Sequence, residues 1–112
     1  MVAQISQVGT ALPGAGSQSL QERRRAAVSH AVGTVLPIYV QEASGGILRD
    51  VDGNQLIDFA SGIAVTSVGH GDRRVVARVQ EQVQRFTHTC FMITAYEPYV
   101  EVCEQLNALT PG

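Results

Sequence analysis

The apolar positions change period along the chain, and the changes mark out its elements. Val75, Val76, Val79, Val83 and Phe86 recur at helical spacing, while Arg74, Arg78, Glu81, Gln82 and Arg85 take the other side. Asp72 can cap the first turn, so the spacing predicts a helix over residues 72–85. Val102, Cys103, Leu106 and Leu109 form a second such face, with Pro98 at a first-turn position, and predict a helix over 97–109 that Pro111-Gly112 stops. Upstream the pattern shortens. Residues 38–43, 47–51 and 54–59 read as strands, turned at Ser44-Gly45-Gly46 and at Asp52-Gly53, which gives a small antiparallel meander. Ser19 and Glu22 match a capping box and predict a helix over 20–32, stopped by Gly33. The Gly-, Ser- and Ala-rich residues 1–17 read as a flexible lead-in. The fold class expected is α+β: an N-terminal helix, the meander, then two helices.

The least regular stretch is 60–71. Ser61-Gly62 and Gly69-His70-Gly71 bracket the apolar run Ile63, Ala64 and Val65. Glycines on both sides point to special backbone conformations or to close approach of a ligand, and functional contacts gather on such loops.

Composition removes several chemistries. All eight basic residues are arginine, so nothing here can form a Schiff base through a lysine amine or serve as a P-loop lysine. A net charge of −2 gives no footprint for nucleic acid, and Arg23, Arg24 and Arg25 read as a solvated helix face. No apolar run approaches the ~20 residues of a membrane span. Cys90 and Cys103 make no disulfide framework, and a reducing cytoplasm is the expected setting. His88 and Cys90 lack a second pair to complete a metal site. His70 has no partner at a diagnostic spacing and reads as a turn histidine bonded to local backbone. Asp50, Asp52 and Asp58 read as turn-forming, solvated carboxylates.

Several blocks nevertheless fall in one family's order. Leu48-Arg49-Asp50-Val51-Asp52-Gly53-Asn54-Gln55-Leu56-Ile57-Asp58-Phe59 resembles the hairpin near the start of class III aminotransferases. Ser61-Gly62-Ile63-Ala64-Val65 and Gly69-His70 resemble the loop after it. Phe86-Thr87-His88-Thr89-Cys90-Phe91 and Tyr96-Glu97-Pro98-Tyr99-Val100-Glu101-Val102-Cys103-Glu104 resemble the following stretch of the family's 4-aminobutyrate branch. The match runs over about residues 35–112.

The resemblance implies the N-terminal segment of a fold-type-I transferase dependent on pyridoxal 5′-phosphate. Residues 18–112 would belong to its small domain, cut off before the large cofactor-binding domain. It implies a homodimer that moves the amino group of 4-aminobutyrate, or a related ω-amino acid, to 2-oxoglutarate, giving succinate semialdehyde and glutamate. The family's cofactor-holding lysine has no counterpart in this chain, so the chain alone is expected to be inactive; a non-catalytic binding module reusing the segment is the alternative. Two positions carry over as substrate-binding. Ile63 matches an apolar contact suited to a methylene stem, and Met92 matches a position near the active site that is often polar in relatives. Asp72-Arg73 also departs from the family, which commonly has His-Pro there.

Overall fold

The computed structural model of the chain describes residues 6–111. Its elements run α1 (Ala15–Ala27), β1 (Val40–Ser44), β2 (Ile47–Asp50), β3 (Gln55–Ile57), the single turn α2 (Ser61–Ala64), α3 (Arg73–Arg85) and α4 (Glu97–Leu109). This is the expected α+β order. The chain divides into two compact units, Met1–Val75 and Val76–Gly112.

In the first unit the strands form one antiparallel sheet in the order β1-β2-β3. Ser44 pairs with Ile47 across the Gly45-Gly46 turn, and Arg49 pairs with Gln55 across the Asp52-Gly53 turn. Gly53 adopts φ +86°, the left-handed conformation such a turn requires. A register shift between Val40 and Glu42 marks a bulge. Gln7 and Gln55 exchange both backbone hydrogen bonds, at 2.9 and 2.8 Å, so the chain before α1 lies along the free edge of β3.

The helix α1 corrects the expectation for residues 1–32. It begins at Ala15, inside the stretch read as a flexible lead-in, and ends at Ala27 rather than at residue 32. The Ser19–Glu22 capping box is not its start. The cap comes from the hairpin instead: Asp52 Oδ1 accepts the Gly16 N–H at 2.7 Å and Oδ2 accepts the Ser17 N–H at 3.0 Å. The carboxylate thus satisfies two of the orphan N–H groups of a helix start and faces the positive end of the helix dipole. The Ser17 side chain foremost, with the Ser17 and Gly16 N–H groups, holds the Asp52 carboxyl below its ordinary pKa. The part of the lead-in before Ser6 lies outside the described residues.

A buried polar network ties this edge together. Asp50 and Asn54 are each 1% exposed. Asp50 Oδ1 accepts the N–H groups of Asp52 and Asn54, and Asp50 Oδ2 accepts from Asn54 Nδ2 at 2.9 Å. Asn54 Oδ1 accepts from the Gly9 and Thr10 N–H groups, both at 3.0 Å, and Nδ2 also donates to Thr10 Oγ1.

The helices of the downstream stretch follow the sequence closely. Asp72 Oδ1 accepts from the Arg74 and Val75 N–H groups, so it caps α3 as expected. Pro98 sits in the first turn of α4. Between the two, Phe91 packs on Tyr99 and Tyr96, with ring centroids 4.4 and 5.3 Å apart, and Phe86 lies 5.5 Å from Tyr96. Among the described residues no hydrophobic side chain is buried; the apolar faces of α3 and α4 are open at Val79, Val83, Val102 and Leu106. No helix among them is long and apolar enough to cross a membrane.

Candidate functional site

The stretch from Asp58 to His70 leaves the sheet and returns to the same turn. At its start the Asp58 N–H donates to Gly46 O at 2.9 Å. At its end His70 and Gly45 exchange both backbone hydrogen bonds, at 2.8 and 2.9 Å. Gly69 makes this return possible. It adopts φ +83°, and a Cβ there would sit 3.1 Å from Gly45 Cα and from Gly45 O. Both feet of the loop therefore stand on the glycine pair between β1 and β2.

The side chains close the same base. Asp58 Oδ2 lies 2.8 Å from His70 Nε2, and Asp58 Oδ1 accepts the Ser61 N–H at 2.8 Å. An ionised carboxylate only accepts, so the Nε2 carries the proton in this contact. The Asp58 side chain is 6% exposed and that of His70 24%. The hydrogen bond from His70, then the one from the Ser61 N–H, hold the Asp58 carboxyl below its ordinary pKa. The pair was not visible in the sequence. It joins residues twelve apart across an irregular loop, and neither helical nor strand periodicity predicts such a contact. The histidine expected to bond only local backbone bonds a carboxylate instead, and Asp58 is not the solvated turn residue expected.

Between these feet lies α2, whose backbone is not a right-handed helix. Ser61, Gly62, Ile63 and Ala64 have φ of 49°, 59°, 62° and 61°. Left-handed backbone costs a residue with a Cβ roughly 1–2 kcal/mol, and a β-branched residue there is an outlier. The turn is held by Ile63 N–H to Ala60 O at 2.7 Å, Val65 N–H to Ser61 O at 2.8 Å, and a 2.6 Å contact between the Ser61 and Thr66 hydroxyls. Its product is presentation: Ile63 is 90% exposed, with Phe59 at 91% beside it in the chain. Strained backbone under an exposed apolar side chain is a pattern found at binding sites.

Met92, the other expected substrate contact, belongs to the second unit. It is exposed in a turn closed by reciprocal hydrogen bonds between Thr89 and Thr94, with Cys90 at φ 55°. Ile63 and Met92 thus each stand on a turn with a left-handed residue, in separate units. Both are exposed, in a segment in which no hydrophobic side chain among the described residues is buried.

Comparison with known proteins bears on what these turns serve. The family model described as aminotransferase class-III matches residues 27–112. The chain is 60% identical over 103 residues to the 4-aminobutyrate aminotransferase of Mycobacterium tuberculosis, covering 92% of this chain and 23% of that protein. It is 53% identical over 96 residues to the 5-aminovalerate aminotransferase of Pseudomonas putida, covering 86% of this chain and 23% of that protein. Among solved structures, the acetylornithine aminotransferase of Elizabethkingia anophelis superposes with a TM-score of 0.75 at 20% identity, over 83% of this chain and 24% of that one, a likeness of fold. The chain spans about a quarter of the length of the curated relatives it matches.

Proposed function

The chain belongs to the class III aminotransferases, and on that footing we propose that it is the substrate-side segment of an enzyme that moves the amino group of 4-aminobutyrate, or a close ω-amino acid, to 2-oxoglutarate. The products are succinate semialdehyde and glutamate. The observation that carries this reading is Ile63, held exposed on the left-handed turn Ser61–Ala64 in a chain whose curated relatives include enzymes named for ω-amino acids. An aliphatic wall removes the methylene stem of such a donor from water, at about 0.8 kcal/mol per buried CH₂. Met92 is the second proposed contact. Its flexible thioether fills space against a ligand and brings no hydrogen-bond donor to it.

The family's cofactor, pyridoxal 5′-phosphate, does not find its attachment here. Its aldehyde needs an amine from lysine, and the sequence has none among its eight basic residues. We therefore assign the lysine to sequence outside these 112 residues, and expect no turnover from this chain by itself. Residues 18–112 then form part of the enzyme's small domain, and the open apolar faces of α3 and α4 are covered by the rest of a homodimeric enzyme. The free thiols of Cys90 and Cys103 suit a reducing cytoplasm.

The test is a panel of amino donors offered, with 2-oxoglutarate, to an enzyme carrying this segment, following glutamate. 4-Aminobutyrate and 5-aminovalerate should be used with the highest kcat/KM. A preference for alanine or another α-amino donor would sink the assignment.

A further inference from the structure

Ile63 occupies a conformation that its own side chain disfavours. The hydrogen bonds inside the turn set its shape. They do not set where the turn stands relative to the sheet. That is decided at the base of the loop, where the contacts converge on one side-chain pair. Asp58 links the first foot to the turn through the Ser61 N–H, and links the first foot to the second through His70. The second foot is fixed to Gly45 by the two backbone hydrogen bonds of His70. Of the contacts described at this base, Asp58 to His70 is the one that joins the two strands of the loop side chain to side chain.

We propose that Asp58 and His70 are positioning residues for amino-donor selection: by closing the base of the 58–70 loop they fix where Ile63 stands, and hence how long a donor the wall accepts. The proposal rests on the reading of Ile63 as a substrate contact. The Asp58 side chain is 6% exposed and that of His70 24%, while Ile63 is 90% exposed, so Ile63 is the residue that offers contact area to a donor. Their effect passes through the position of the Ile63 side chain. Small displacements of a positioned group change rates by large factors, because a near-attack geometry is lost.

The experiment uses the enzyme carrying this segment and measures the ratio of kcat/KM for 4-aminobutyrate to that for 5-aminovalerate. A pair with a purely structural role lowers both values together and leaves the ratio unchanged. The ratio is also read on whatever fraction is folded, so a partly misfolded preparation still reports it. Asp58→Ala and His70→Ala should each shift the ratio on the order of tenfold, in the direction that Ile63→Ala shifts it. The double variant Ile63→Ala/His70→Ala should shift it no further than Ile63→Ala alone, since the clamp acts only through that side chain. Asp58→Asn keeps an Oδ1 acceptor for the Ser61 N–H and presents its Nδ2 donor to His70, whose neutral ring can accept it at Nε2 by carrying its proton on Nδ1 instead, so it should restore most of the parent ratio. If the alanine variants do not fold, His70→Phe takes their place: it keeps a ring of similar size, cannot bond Asp58, and should shift the ratio in the same direction, whereas an unchanged ratio overturns the clamp.

The two ideas fail differently. An unchanged ratio in Ile63→Ala overturns the substrate contact itself. A changed ratio in Ile63→Ala with an unchanged one in both His70→Ala and Asp58→Ala overturns the clamp alone. Full additivity in the double variant also overturns it.

Discussion

Replacing Asn54 by leucine should destabilise the segment by about 2 kcal/mol or more, because one buried side chain makes four hydrogen bonds, one of them to the buried Asp50 carboxylate. Asn54 is 1% exposed and uses its whole hydrogen-bonding capacity: its oxygen takes the Gly9 and Thr10 N–H groups, and its nitrogen gives to Thr10 Oγ1 and Asp50 Oδ2. Leucine is close in size, so the cost is not a cavity. It strands two N–H donors and one carboxylate oxygen of Asp50, which is itself 1% exposed. The buried Asp50 oxygen carries most of the cost, at roughly 1–3 kcal/mol for a polar group left unpaired away from water, while Gly9 and Thr10 are exposed and lose less. Urea unfolding checks the total. Hydrogen exchange checks the mechanism, since the Gly9 and Thr10 amides should lose protection first. Unfolding within about 0.5 kcal/mol of the parent would show that the network is not what holds this edge.

Gly14→Ala should cost about 2 kcal/mol or more, for a steric reason that the backbone conceals. Gly14 has φ −76° and ψ 179°, an extended conformation that alanine adopts freely. On backbone entropy alone the substitution would stabilise by about 0.4–1 kcal/mol. But a Cβ there would stand 2.3 Å from Asp52 Cγ and 2.7 Å from Asp52 Cβ, so the hairpin turn or the helix start must move. Movement of either breaks the hydrogen bonds from Asp52 to Gly16 and Ser17, whose loss as a cap adds about 1 kcal/mol. Gly16→Ala is the internal comparison. Its Cβ would meet Asp52 Oδ1 at 3.0 Å and Val51 Cγ2 at 3.2 Å, so it should cost clearly less. Equal effects in thermal melts of the two variants would argue against the clash.

What the sequence revealed, and what it hid, divides by range. α3 and α4 were legible because their signals are local: valines at helical spacing, Asp72 before the first turn, Pro98 within it. The two hairpin turns were legible because Gly45-Gly46 and Asp52-Gly53 dictate them within a few residues. The start of α1 was not. Ser19 and Glu22 offered a local cap, but the actual cap is Asp52, 36 residues from Gly16, and its bond to the helix start moves the boundary back to Ala15. Asp50, Asp52 and Asp58 look alike in the sequence as acidic residues near turns. In the fold they diverge. Asp50 centres a buried network, Asp52 caps a helix, and Asp58 pairs with His70. The candidate loop was legible in its bracketing glycines, which do take positive φ, but Ile63 within it was marked only by a resemblance. The left-handed run that exposes it and the pair beneath it needed coordinates, since no spacing rule brings residue 58 to residue 70.

On the proposed reading this chain supplies a wall for the amino donor and lacks the lysine that the transfer needs. The most direct measurement mixes the purified 112-residue chain with pyridoxal 5′-phosphate, 4-aminobutyrate and 2-oxoglutarate, and follows glutamate against the same mixture without protein. The prediction is no glutamate above that protein-free control, because no lysine amine is present to take up the cofactor and the terminal α-amine offers only unspecific imine formation. Repeated turnover per chain, well above the control, would contradict it.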